Sequence, residues 1–144
     1  MREDESLRLV VIDGQGGGMG RSLIEQARAD FKDLEIIAVG TNALATGAML
    51  RAGANAGATG ESAVLYNCRR ADVIMGPIGI ALPYSILGEI SPAMAEAVCL
   101  SEAKKILLPV SKCNVRIVGI MEKPMARYVE DAIAQLHALL EKAE

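Results

Sequence analysis

The stretch Asp13-Gly-Gln-Gly-Gly-Gly-Met-Gly-Arg-Ser22 places five glycines between Gly14 and Gly20. A backbone without Cβ atoms turns tightly and can approach a pyrophosphate closely. The free N–H groups and dipole of a helix starting in such a loop favour a bound anion. Ordering so many glycines costs conformational entropy that packing or a ligand must offset. The plainer reading is a tight strand-to-helix turn. Two other segments share this character. Thr41 and Asn42 offer side chains that can donate to a ribose or a 2′-phosphate, and Arg21 offers a guanidinium for that phosphate. Asn42 serves equally well as a helix cap. Gly76-Pro77-Ile78-Gly79 can lie flat against a ligand face. The expected binding residues are therefore Gly14, Gln15, Gly16, Gly17, Gly18, Met19, Gly20 and Arg21, then Thr41 and Asn42, then Gly76, Pro77 and Gly79.

No assignable reaction accompanies this binding pattern. A Tyr-x-x-x-Lys proton-transfer pair has only Tyr66 with Arg70 to offer, and Tyr84 and Tyr128 have no basic residue four positions on. His137 is the sole histidine and reads as a helix-surface residue. Cys113 beside Lys112 is a candidate thiol of lowered pKa, although a turn cysteine accounts for it as well. Glu89 is the best acid/base candidate, Ser91 reads as a helix cap, and Asp72 lies at the wrong end of its strand for metal binding. Cys68, Cys99 and Cys113 form no C-x-x-C pair, so no zinc site is expected. Catalytic residues stay unassigned.

The elements that must hold these loops follow from periodicity. Leu7–Ile12, Glu35–Val39, Ala71–Met75 and Lys105–Val110 are strand-like apolar runs, and a weak strand is expected within 54–60. Helices are predicted over Met19–Asp30, Ala43–Ala52 behind Asn42, Glu61–Arg70 behind Thr59 or Gly60, and from Pro92 behind Ser91 to about Ala103. A last helix over Met125–Lys142 carries Val129, Ile133, Leu136 and Leu140 on one stripe. Val115–Met121 reads as a sixth strand. The link Ser111–Asn114 is too short for a parallel crossover, so that strand should pair antiparallel with the fifth. Alternating strands and helices predict an α/β three-layer domain spanning residues 1–144. Its sheet is mostly parallel with one antiparallel edge strand, in the order 3-2-1-4-5-6.

In such a sheet, ligands bind beyond the carboxyl ends of the strands where the strand order reverses. The loops after the first, second and fourth strands converge there. The end of the second strand, Gly40-Thr41-Asn42, lacks the acid that usually accepts from an adenosine ribose, so NADP is slightly preferred over NAD.

Composition bounds the partners. The chain has 144 residues, 51% hydrophobic and 23% charged, with a net charge of −3. That composition excludes disorder and argues against nucleic-acid or membrane-surface binding. Few aromatics leave no base-stacking platform. The acidic start Met-Arg-Glu-Asp-Glu-Ser does not resemble a signal peptide, and no apolar run reaches the length of a membrane span. A cytoplasmic protein with reduced thiols is expected. Its apolar segment around Ile80–Ile90 should be buried in a homodimer or higher homo-oligomer.

Three resemblances sharpen the reading. Gly14-x-x-x-Gly18-Met19-Gly20 resembles the glycine motif of short-chain dehydrogenases. Gly16-Gly17-Gly18-Met19-Gly20-Arg21-Ser22 is similar to the deviant phosphate loop of ParA and MinD-like ATPases, with Gly16 and Arg21 where that loop has lysines. VVIDGQGGGMG, GTNALATGAML, AGATGES, GPIGI and LGEISPAMA together resemble a small family of uncharacterised bacterial proteins. That resemblance implies a Rossmann-like fold and no assigned substrate. The combined expectation is a nucleotide-binding protein, NAD(P) favoured, without a metal. The alternative is a sensor or interaction protein using the fold as an oligomeric scaffold.

Overall fold

Alternate residues of the first strand feed opposite layers. Leu9 and Val11 pack into one core, Val10 and Ile12 into the other, and all four are buried. A strand covered on both faces must read as a continuous apolar run, as this one does. The computed structural model describes residues 7–110 and 115–143. The strands are β1 (Arg8–Asp13), β2 (Glu35–Gly40), β3 (Ala56–Thr59), β4 (Val73–Pro77) and β5 (Lys104–Leu108). The helices are α1 (Gly18–Asp30), α2 (Ala43–Arg51), α3 (Glu61–Cys68), α4 (Pro92–Leu100) and α5 (Met125–Ala143). A 3₁₀ turn over Ile78–Ala81, which periodicity did not announce, follows β4.

The sheet order is β3-β2-β1-β4-β5, and every pairing is parallel. One layer holds α1, α2 and α5, with Leu23, Ile24, Met49, Ile133 and Leu136 in its core. The other holds α3, α4 and the 3₁₀ turn, with Val64, Ile80, Met94 and Val98. The predicted stripe on α5 is real, because Val129, Ile133 and Leu136 are buried and Leu140 packs beside them.

The antiparallel edge strand expected over Val115–Met121 is absent, and the five-stranded sheet is parallel throughout. The link Ser111–Asn114 on which that expectation rested lies outside the described residues. Apolar composition gives a strand only where a partner and a buried face await it. Val118 is 99% exposed, and Gly119 turns the chain with a φ of 89°. The edge strand β5 keeps Lys104 and Lys105 exposed, a common guard on an edge.

The apolar segment 80–90 serves first within the chain itself. Ile80, Ile86 and Ile90 are buried in the chain's own core, leaving Tyr84 and Leu87 outside. Gly76 lies inside β4, where an added Cβ would run into the carbonyl oxygen of Ile12. Because that obstacle is backbone in a central strand, Gly76→Ala should lower unfolding free energy by about 1–3 kcal/mol. Urea denaturation followed by circular dichroism measures this, and an unchanged midpoint contradicts it.

Candidate functional site

At the carboxyl end of β1, Asp13 turns its carboxylate back into the protein. It accepts from the N–H of Gly14 at 2.8 Å and of Gly20 at 2.7 Å, closing the glycine loop onto the first turn of α1. Burial pushes its pKa up, and the nearby Glu89 charge pushes the same way, while N–H groups of Gly20, Gly14 and Met19 oppose them. No side chain caps α1 at Gly17, and no acid occupies its first turn. Inside the loop, Gly17 donates to the carbonyl of Gly14 at 2.9 Å. The N–H groups of Gly16 and Gly18 have no acceptor among the described residues.

The glycines of the loop divide by what a side chain would meet. Gly17 has a φ of +73° and lies against the Ala45 backbone, so the fold itself requires glycine there. At Gly20 a Cβ would press on Met49 and on the Cβ of Asp13. Gly16 and Gly18 differ: nothing lies within 4 Å of an added Cβ, and neither has a positive φ. Packing and backbone strain therefore do not explain glycine at 16 and 18.

The second wall comes from the segment after the 3₁₀ turn. Glu89 Oε1 accepts from the Gln15 N–H at 2.7 Å, and Oε2 accepts from Asn42 Nδ2 at 2.8 Å. Asn42 Nδ2 also donates to the Gln15 carbonyl at 2.9 Å, while its Oδ1 caps α2 by accepting from the Ala45 N–H at 2.9 Å. Asn42 thus both caps α2 and faces the crevice. The Thr41 N–H donates to the Asp13 carbonyl at 3.0 Å. Its hydroxyl oxygen is sealed from solvent without a hydrogen-bond partner among the described residues, which costs about 1–3 kcal/mol.

The other predicted residues lie elsewhere in function or direction. The Met19 side chain is buried in the core, so only its backbone reaches the loop. Arg21 projects from α1 with its Nε 3.9 Å from Glu25. Gly76 and Pro77 are buried in β4, and the space beside Gly79 is taken by Ser85, whose hydroxyl donates to the Gly79 carbonyl. The segment after β4 therefore meets the glycine loop through Ile86 and Glu89. Sequence reasoning selected Glu89 as an acid but did not place it with Gln15 and Asn42. It also gave no acid to the end of β2, and on that ground preferred NADP. Glu89 supplies an acid there from 47 positions away, so that ground falls.

Most remaining candidates have structural partners. Ser91 caps α4 through the Met94 N–H at 3.2 Å and donates to Glu61. Asp72 accepts from the Arg8 N–H at 2.8 Å, at the opposite end of the sheet. His137 meets Asp30 at 2.9 Å and packs on Phe31. Arg70 stacks over Tyr66. Burial pushes the Cys68 thiol up to about 11. Cys113 and Lys112 lie outside the described residues. Among those residues there is no His, Cys, Asp or Glu group fit to hold a metal, and no helix long and apolar enough to cross a membrane.

A family model described as Domain of unknown function (DUF3842) matches residues 8–141. No curated protein matches. Among solved structures, the chain is similar to a dodecameric FMN-dependent UbiX-like decarboxylase from Escherichia coli O157:H7. The TM-score is 0.47 and the identity 16%, covering 91% of this chain and 76% of that one. It is also similar to apo saccharopine dehydrogenase (L-Glu forming) from Saccharomyces cerevisiae, with TM-score 0.47 and 14% identity. That match covers 89% of this chain and 25% of the dehydrogenase.

The buried Asp13 carboxylate has a measurable consequence. An acid whose pKa is raised on folding binds its proton more readily in the folded chain, so its contribution to stability falls as pH rises from the ordinary carboxylate value of 3.8. The stability advantage of the wild type over Asp13→Ala should therefore shrink as pH rises above about 4. Urea denaturation of both proteins across that range tests it. An advantage that grows with pH refutes the assigned direction.

Proposed function

The chain belongs to the DUF3842 family, a domain of unknown function, and from its own residues we propose a single domain that binds a phosphate-bearing nucleotide. NAD(P) is the favoured class, and the proposal assigns no reaction. The strand order reverses between β1 and β4, so the crevice beyond those strands is where an open parallel sheet receives ligands. The observation that carries the reading is the pair Gly16 and Gly18. Both face open space, neither needs a left-handed backbone, and both hold N–H groups with no acceptor among the described residues, beside the uncapped start of α1. A phosphate lying on that surface would accept from both groups, with Thr41 and Asn42 placed for a ribose or a further phosphate of the same ligand and Arg21 at the rim.

A second reading, association between copies of the chain, keeps one observation in its favour. Tyr84 and Leu87, at the tip of the segment after β4, are 70% and 82% exposed. Sedimentation at the mass of one 15.2 kDa chain at micromolar concentration would remove it.

The binding reading is tested by a thermal-shift screen with NAD, NADP, ATP, GTP and coenzyme A. A ligand at 100 times its dissociation constant stabilises the folded state by about 2.7 kcal/mol. Gly18→Glu should abolish the shift while leaving circular dichroism and the ligand-free melting point nearly unchanged. A glutamate in the first turn suits the helix dipole but opposes a phosphate there. Equally tight binding by a folded Gly18→Glu protein would make the loop only a turn.

A further inference from the structure

Segment 82–90 is closed on itself. Leu82 N–H donates to Gly79, Ser85 to Leu82, Tyr84 to Ile90, Gly88 to Tyr84, Glu89 to Ile86 and Ile90 to Ser85. Among the described residues, its hydrogen bonds to the β1 and β2 loops are the two accepted by the Glu89 carboxylate. The segment also carries unusual backbone. Tyr84, Ile86 and Leu87 have φ values of 64°, 55° and 53°, and Gly88 has 87°. For a β-branched residue such as Ile86 this conformation is a marked outlier, held only by its surroundings. Beneath it, a Cβ at Gly14 would meet Glu89 Oε1 at 2.6 Å, Thr41 Oγ1 at 2.7 Å and Ile86 Cγ2 at 3.1 Å. The carboxylate and the Thr41 hydroxyl thus flank the same spot. Gln15 N–H and Asn42 Nδ2 donate into it, and both donations end on an anion of the chain itself.

We propose that the Glu89 carboxylate stands in for a ligand phosphate: in the free chain it holds the Gln15 N–H and the Asn42 amide, and a phosphate takes these donors and the Thr41 hydroxyl when 82–90 lifts as one flap. This inference rests on the nucleotide reading above and adds a regulator to that site. Apart from the Leu82 N–H and the Ser85 hydroxyl, which both donate to the Gly79 carbonyl at the hinge, the hydrogen bonds within the flap are internal and can move with it. A phosphate and the Glu89 carboxylate repel one another, so binding and the closed flap exclude each other. Seating Ile86 and Ile90 in the core and tying Glu89 to two donors keeps the closed form dominant without ligand.

The test compares wild type, Glu89→Ala and Glu89→Gln as full chains, with thermal melting as the control for folding. The glutamine variant keeps the shape but turns an NH₂ group toward one of the two donors. Amide exchange at Gln15 and Tyr84–Ile90 reads the flap, and calorimetric titration with ADP, inorganic pyrophosphate and adenosine reads the seat. Both variants should exchange faster at these amides and bind ADP and pyrophosphate about tenfold more tightly, with adenosine unaffected. Unchanged exchange overturns the latch whatever the nucleotide results show. Weaker ADP binding in the variants, while wild type binds, makes Glu89 a ligand contact and overturns the inference while sparing the binding reading. An equal gain for adenosine takes the seat away from phosphate. Faster exchange with no ADP or pyrophosphate binding in any of the three chains overturns the seat and the nucleotide reading together.

Discussion

A carboxylate sealed at the end of the central strand must find donors, because an unsolvated charge without hydrogen bonds costs far more than a folded domain can spare. Asp13 finds them in the N–H groups of Gly14 and Gly20, at opposite ends of the glycine loop. Those two bonds set the curvature of the loop and seat α1 over β1. They also make Gly20 necessary, since only glycine lets Met49 and Asp13 approach that helix so closely. Much of the site follows from this closure. With Gly14 and Gly20 turned inward, the donors left facing outward are those of Gly16 and Gly18, and the Gln15 N–H is aimed at Glu89.

A glycine loop of this kind differs from one whose amides all converge on a ligand. Part of its anion-binding capacity is spent on the chain's own acids, one fixed and one movable. Asp13 is buried and integral to the strand end, whereas Glu89 arrives on a self-contained segment in strained backbone. Burial raises the pKa of Asp13 and the nearby Glu89 charge adds to it, so the electrostatics of the loop include both acids. At Gly16 and Gly18 the loop keeps open space and N–H groups with no acceptor among the described residues.

Local sequence was enough for most elements because the forces that set them are local. The apolar run from Leu9 to Ile12 called for a strand buried on both faces, and β1 is one. Asn42 and Ser91 announced their helices through capping, and both side chains accept from the backbone N–H three residues on. The stripe on α5 needed only helical periodicity to be read. Even β3, weakened by its glycine, stands where expected, held by parallel pairing with β2.

What the chain alone left open were matters of partnership. Val115–Met121 has strand-like composition, yet no neighbour takes it up, because strand propensity is realised only against a partner and a buried face. Gly76 and Gly79 looked like ligand-facing glycines, but a backbone carbonyl and a serine fill those spaces. Glu89 stands 74 residues from Gln15 and 47 from Asn42, so nothing in its local pattern could reveal that it joins them. Sequence by itself determined the loop's flexibility, the helix starts and the alternation of strand and helix, all consequences of neighbours along the chain. Tertiary structure alone decided which glycines protein fills and which stay open, and which acid meets which amide, because those depend on contacts that exist only once the sheet has formed.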